Sequence, residues 1–75
     1  MSTSPDDLVT TLSRWLARHV DDAELREQVA AVDAASLSSE QAHALAELRE
    51  ELDRADGRSE LERVARETLE ALALG

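Results

Sequence analysis

SSEQAHALAELREELDRADGRSELERVARETLEALA, residues 38–73, is the stretch whose reading decides the fold. Leu45, Leu48, Leu52 and Ala55 recur there at spacings of three and four, the narrow seam of a coiled-coil-like contact. Glu47, Arg49, Glu50, Glu51 and Arg54 keep the other side charged, with Glu50 and Arg54 at the i, i+4 spacing of an ion pair. Further on, Leu61, Val64, Ala65, Leu69 and Leu72 form a second apolar face, and Glu62–Arg66 and Arg66–Glu70 are placed to lace its exterior. Asp56-Gly57 separates the two, because glycine takes the left-handed conformation past a helix end without a Cβ penalty. Ser59 is the expected cap of the next helix. So short a connection makes antiparallel neighbours, and residues 39–74 are predicted to form an αα-hairpin.

Outward from the hairpin, the same punctuation recurs. Ser4 to Asp7, Asp21 to Glu24, Ser38 to Gln41 and Ser59 to Glu62 each place a small polar residue three positions before an acid or amide. Such a pair satisfies orphan amides of a first helical turn from both directions. Pro5 fits the first turn after Ser4, where its missing N–H costs nothing, and Asp6 and Asp7 suit the positive end of the helix dipole. Leu8, Val9, Leu12, Trp15, Leu16, His19 and Val20 then fall within a sector of roughly 140°, the widest apolar face in the chain. The Asp21 signal is opposed by the lack of any helix breaker before it, so a continuous helix from about Pro5 to Ala34 competes with a break. Leu25, Val29 and Val32 make a narrow stripe after it, with Asp22 and Arg26 spaced to pair. Leu37 is placed to enter the core from the loop that follows.

The expected architecture is therefore all-α: one domain over residues 1–75, a small bundle of three to four short helices near 5–20, 22–34, 39–55 and 60–73, ending in the antiparallel hairpin. At 75 residues a single core is near its lower size limit, and with no cysteine there is no disulfide or thiolate metal site to reinforce it. Association with another chain is the remaining device, and a homodimer is the first expectation. Its contact surface would be the apolar stripe of Leu12, Trp15, Leu16 and His19, or the seam Leu45, Leu48 and Leu52. Trp15, the sole aromatic residue, suits either an interface anchor or the core. His19, in the middle of the widest face, is expected to be a core or interface histidine.

Composition narrows the function. The formal net charge is −9, and all eight basic residues are arginines interleaved with acids. Direct binding to DNA or an anionic membrane needs clustered positive charge, so neither is expected. Lysine, asparagine and isoleucine are absent; their codons are AT-rich, which points to a GC-rich bacterial source. The N-terminal stretch shows no basic region followed by an apolar run, and nothing reaches membrane-spanning length, so a cytoplasmic location is expected.

No catalytic signature stands out. There is no Gly-rich phosphate loop, no cysteine and no tyrosine, and the serines lie at helix starts where capping accounts for them. The chain is read as a non-enzyme without a cofactor. Glu40 and His43 have the Glu-x-x-His spacing of di-iron bundles, with Glu47 one turn on, but all three lie on the side away from the Leu45 seam, so no metal is expected.

Two alternative roles remain. Asp33-Ala34-Ala35-Ser36-Leu37, followed by an acidic helix in a short acidic four-helix chain, resembles the acyl carrier proteins. The resemblance implies that Ser36 carries phosphopantetheine, that Leu37 is the leucine beside it, and that Glu40, Glu47 and Glu50 belong to an acidic recognition helix; the protein would then serve an enzyme as carrier or adaptor. Alternatively, an acidic helical surface can imitate the phosphates of nucleic acid and inhibit a basic protein. The leading reading is a non-enzymatic protein–protein interaction module that self-associates through an apolar helix face.

Overall fold

The computed structural model describes residues 4–54 and 57–74, apart from the side chain of Ala34. Four helices and one short turn of 3₁₀ helix make an all-α bundle measuring 29 × 22 × 20 Å. The helices are α1 (Pro5–Leu16), α2 (Asp22–Ala31), α3 (Ser39–Arg54) and α4 (Arg58–Leu74), with the 3₁₀ turn at Ala34–Ser36. They close into a ring in which α3 packs on α4, α4 on α1, α1 on α2 and α2 on α3.

The predicted hairpin is present. Thr68 Oγ1 lies 3.3 Å from the Ala44 carbonyl and Gln41 Nε2 lies 3.4 Å from that of Leu72, so α3 and α4 run antiparallel along their length. Gln41 has two tasks. Its Oε1 accepts from the Ser38 amide at 2.9 Å while its own amide donates to Ser38 Oγ at 3.2 Å, which is the reciprocal box that starts α3. Its Nε2 then ties that start to the end of α4.

The capping signals differ in outcome. Ser4 and Asp7 form a reciprocal box as expected. Asp21 begins a separate helix, its Oδ1 accepting from the Glu24 amide at 2.9 Å. Ser59 does not cap α4. The helix opens at Arg58, the Gly57 carbonyl accepts from the Leu61 amide at 3.2 Å, and Ser59 lies inside the first turn. Gly57, at φ +123°, holds a conformation that a side chain would strain. The expected terminator Asp56 and the seam residue Ala55 lie outside the described residues.

The expected first helix, residues 5–20, is four residues too long. Arg18 adopts φ +66°, its amide donates to the Trp15 carbonyl at 3.0 Å, and the His19 amide reaches back to the Arg14 carbonyl at 2.8 Å. This pair of bonds is a Schellman motif that satisfies two orphan carbonyls and turns the chain. The motif normally recruits glycine at the left-handed position, so an arginine there gave no sequence warning. Likewise α2 stops at Ala31 rather than 34, with Val32 extended at ψ +138°. Asp33 then sets the 3₁₀ turn, its Oδ1 accepting from the Ala35 amide at 3.0 Å.

The core takes side chains from every helix. Leu8, Leu12 and Trp15 of α1, Leu25 and Val29 of α2, Leu45, Leu48 and Leu52 of α3, and Leu61, Val64, Ala65 and Leu72 of α4 form one buried cluster with Val32. Leu37 packs against it from the loop, as the sequence suggested. Thr68 is fully buried among these groups, and its hydroxyl donates to the Val64 carbonyl at 2.9 Å, so no polar atom is stranded there.

Candidate functional site

The most elaborated polar constellation surrounds Trp15, where the end of α1, the start of α2 and the start of α4 meet. The indole is fully buried. Its Nε1 donates to Asp22 Oδ1 at 2.7 Å, a short charge-assisted bond. Over its ring stands the Arg58 guanidinium, 4.2 Å from the ring centroid. Arg58 also donates from Nη2 to the Trp15 carbonyl at 2.9 Å and from Nε to Glu62 Oε2 at 2.8 Å. The first residue of α4 thereby caps the C-terminal end of α1. Just outside lies an open depression of about 760 Å³ whose wall includes Arg18, His19, Asp21, Asp22 and Arg58.

Two further arginines join α2 to α3. Arg26 Nη2 donates to the Leu52 carbonyl at 2.5 Å, and Arg49 Nη2 donates to the Val29 carbonyl at 3.0 Å. Each side chain serves the C-terminal turn of the opposite helix, where carbonyls lack intrahelical donors. The exchange fixes these helices antiparallel. It also replaces the expected Asp22–Arg26 pair: Arg26 goes to α3, and Asp22 goes to Trp15. A groove of about 230 Å³ lies between the two arginines, floored by Val29, Ala30 and Leu52.

The seven residues expected to meet a partner have divided. Leu12, Trp15, Leu45, Leu48 and Leu52 lie at 4% exposure or less, inside the chain's own core. Leu16 is half-buried against that core. His19 is exposed, because the Arg18 reversal carries it off the helix on which its apolar-face position was reckoned. The structure thus brings six of the seven to one core and separates His19 from them. Among the described residues the exposed large apolar side chain is Leu74, at 84%.

The outer face of α3 carries Glu40, His43, Glu47 and Glu50, all exposed. His43 Nε2 lies 3.1 Å from Glu47 Oε1 and Glu50 lies 3.7 Å from Arg54, so these side chains pair along the helix. Among the described residues no three histidine or acidic side chains stand close enough to hold a metal ion. On α4 the ion pairs are Arg58–Glu62 and Arg63–Glu60, in place of the expected pairs through Arg66. The hydrogen bond from Arg63 to Glu60, at 2.6 Å, raises the arginine's pKa above its ordinary value.

Ser36 closes the 3₁₀ turn. Its hydroxyl donates to the Asp33 carbonyl at 2.7 Å, and the cap of α3 is Ser38, two residues later. In acyl carrier proteins the modified serine stands at the start of its helix, preceded by aspartate and glycine and by a long loop. Here Ala35 takes the aspartate's place, and α2 occupies the segment where that loop would run.

What sequence reading missed is the long-range use of arginine. Arg26 was expected to pair with Asp22 and Arg49 to lie on the charged side of α3, while Arg58 carried no expectation; each proves to bind a backbone carbonyl on another helix. Periodicity gave no signal for this. No helix among the described residues is long and apolar enough to cross a membrane. No family model, no curated protein and no solved structure matches the chain.

Proposed function

We propose that the chain is a non-enzymatic, acidic helical interaction module that meets a basic protein through its charged helix faces. The observation that carries this reading is the inward disposition of the apolar side chains in a chain of net charge −9, which leaves Leu74 as the large apolar group presented outward among the described residues. Self-association through Leu12, Trp15, Leu45, Leu48 and Leu52 would require the chain to open its own core. The outer faces carry acids in excess, Glu40, Glu47 and Glu50 on α3 and Glu60, Glu67 and Glu70 on α4, with Arg54 and Arg63 beside Glu50 and Glu60. A net excess of one sign steers a complementary partner and sets the salt dependence of the encounter.

The test is affinity capture from a cytoplasmic extract of the native host, with the wild type and a Glu40→Gln/Glu47→Gln/Glu50→Gln variant, over a salt series. The reading expects a basic protein that is retained at low salt, released as salt rises, and weakly held by the variant. Retention of an acidic protein, or retention by the variant that survives high salt, would overturn it.

A further inference from the structure

The connection between α1 and α2 is the one place among the described residues where a residue other than glycine takes a positive φ. Arg18 stands there at +66°, with its side chain exposed. An L residue in the left-handed region is disfavoured because its Cβ crowds the following carbonyl oxygen, so the turn is held against a local cost. Nothing in the sequence demands the turn. Residues 17–21, Ala-Arg-His-Val-Asp, contain neither glycine nor proline, and alanine and arginine are among the better helix formers. What interrupts the helix is the pair of bonds from the Arg18 and His19 amides, followed by the Asp21 cap on the Glu24 amide. A continuous helix replaces each of these with an ordinary bond to the carbonyl four residues back.

A continuous helix does not fit within its own bundle. From Pro5 to Ala31 it spans about 40 Å at about 1.5 Å per residue, against 29 Å for the longest dimension of the bundle. Straightening therefore lifts α1 off α2 and α4, the helices it chiefly packs on, while residues 17–21 remain its connection to the rest of the ring. Leu8, Leu12 and Trp15, each fully buried, leave the core together. The gap they leave keeps Asp22 as acceptor for an indole N–H and Arg58 as the cation over its ring. The α1 of a second copy presents the same side chains at the same spacing, and the gap in that copy receives the first copy's α1.

The geometry points to a dimer in which α1 and α2 fuse into one helix and two copies exchange their α1 segments. The exchange is isologous and closes with two chains, so the packing of α1 on α2 and α4 is remade between copies. The core side chains keep their neighbours, and the hinge at residues 17–21 is what changes conformation. The hinge and the protein concentration then set the balance. The single chain prevails at micromolar concentration, because joining two chains costs translational and rotational freedom. The exchange uses none of the acidic residues proposed above as a binding face, and neither reading rests on the other.

The test equilibrates the protein at millimolar concentration in urea just below its unfolding midpoint, where chains open and reclose, then dilutes it and separates species by size-exclusion chromatography with light scattering. The expected result is a species of twice the 8.2 kDa chain mass that is absent when the same treatment is run at micromolar concentration. In a dimer of one isotope-labelled and one unlabelled chain, isotope-filtered NMR should place the Trp15 ring of one copy against the Arg58 side chain of the other, a contact that lies within the chain in the monomer. Each dimer contains two hinges, so a hinge substitution acts twice. Arg18→Gly relieves the left-handed turn and disfavours the continuous helix, and it should raise the dimer dissociation constant at least tenfold. Asp21→Ala removes a cap that only a separate α2 needs, and it should lower that constant at least tenfold. Arg18→Ala keeps a Cβ while removing the charge, and it should leave the dimer at least as abundant as in the native protein. No dimer at millimolar concentration, a Trp15–Arg58 contact found only within chains, or a loss of dimer in Arg18→Ala equal to that in Arg18→Gly would overturn the proposal. The mass and the cross-copy contact are measured on the native sequence, so they decide even where a variant fails to fold.

Discussion

Replacing Asp22 by alanine tests whether the Trp15 corner holds the first two helices on the bundle. The substitution removes the acceptor of a 2.7 Å bond from a fully buried indole, which has no other described partner for its N–H. Loss of a charge-assisted bond costs about 1.5–3 kcal/mol, and because Asp22 itself is exposed the lower end applies. Asp22 is also the first residue of α2, where its charge favours the helix dipole by about 0.5 kcal/mol. The expected destabilisation is therefore about 2 kcal/mol. In a Trp15→Phe background only the dipole contribution survives, so the same change should cost about 0.5 kcal/mol there, a coupling of about 1.5 kcal/mol. Effects of the lost charge on Arg26 and Arg58 are common to both backgrounds and cancel. A domain of this length has about 4–11 kcal/mol of total stability, enough for each variant to fold. The assay is urea unfolding followed by far-ultraviolet circular dichroism, since Trp15→Phe removes the only indole fluorophore. A coupling below about 0.5 kcal/mol, the ordinary limit of additivity, would refute the assignment of the indole–carboxylate bond as the link between α1 and α2.

Three further outcomes follow from the same geometry. Arg18→Gly should stabilise the protein by about 1 kcal/mol in chemical denaturation, because glycine holds the left-handed position of a Schellman motif without the penalty that a side chain incurs at φ +66°. Arg26→Ala and Arg49→Ala should each cost about 1 kcal/mol and should lower amide exchange protection more in α2 than in α4, since each removes a donor that joins α2 to α3. Incubation with a phosphopantetheinyl transferase and coenzyme A should leave the intact mass unchanged, because Ser36 ends a 3₁₀ turn instead of opening a helix.

The apolar spacing of Leu45, Leu48, Leu52, Leu61, Val64 and Leu72 was sufficient to specify the hairpin and its buried residues, because a helical period leaves one face for the core. Local capping chemistry was equally legible at Ser4 and Ser38. It failed at Ser59, where Gly57 supplies the cap, and at the end of α1, where an arginine performs a task normally given to glycine. That one reversal moved His19 from an apolar face to the surface. The candidate site was less legible than the fold. Trp15–Asp22, Arg26–Leu52, Arg49–Val29 and Arg58–Trp15 join residues 7 to 43 positions apart, and no local pattern marks such partners. The burial of Glu51 was hidden for the same reason, since the sequence places it with Arg49, Glu50 and Arg54 on the charged side of α3. The expectation that so short a chain would lend its best apolar face to a partner rested on core size alone. Four helices closing in a ring give each apolar stripe two neighbours within the chain.

The central claim, that one chain completes its own core, is tested most directly by sedimentation equilibrium at micromolar concentration combined with circular dichroism on dilution. The account predicts a single species at the chain mass of 8.2 kDa whose helicity does not change with concentration. A species of twice that mass that loses helical signal as it dissociates would contradict it, since its fold would then depend on a second chain.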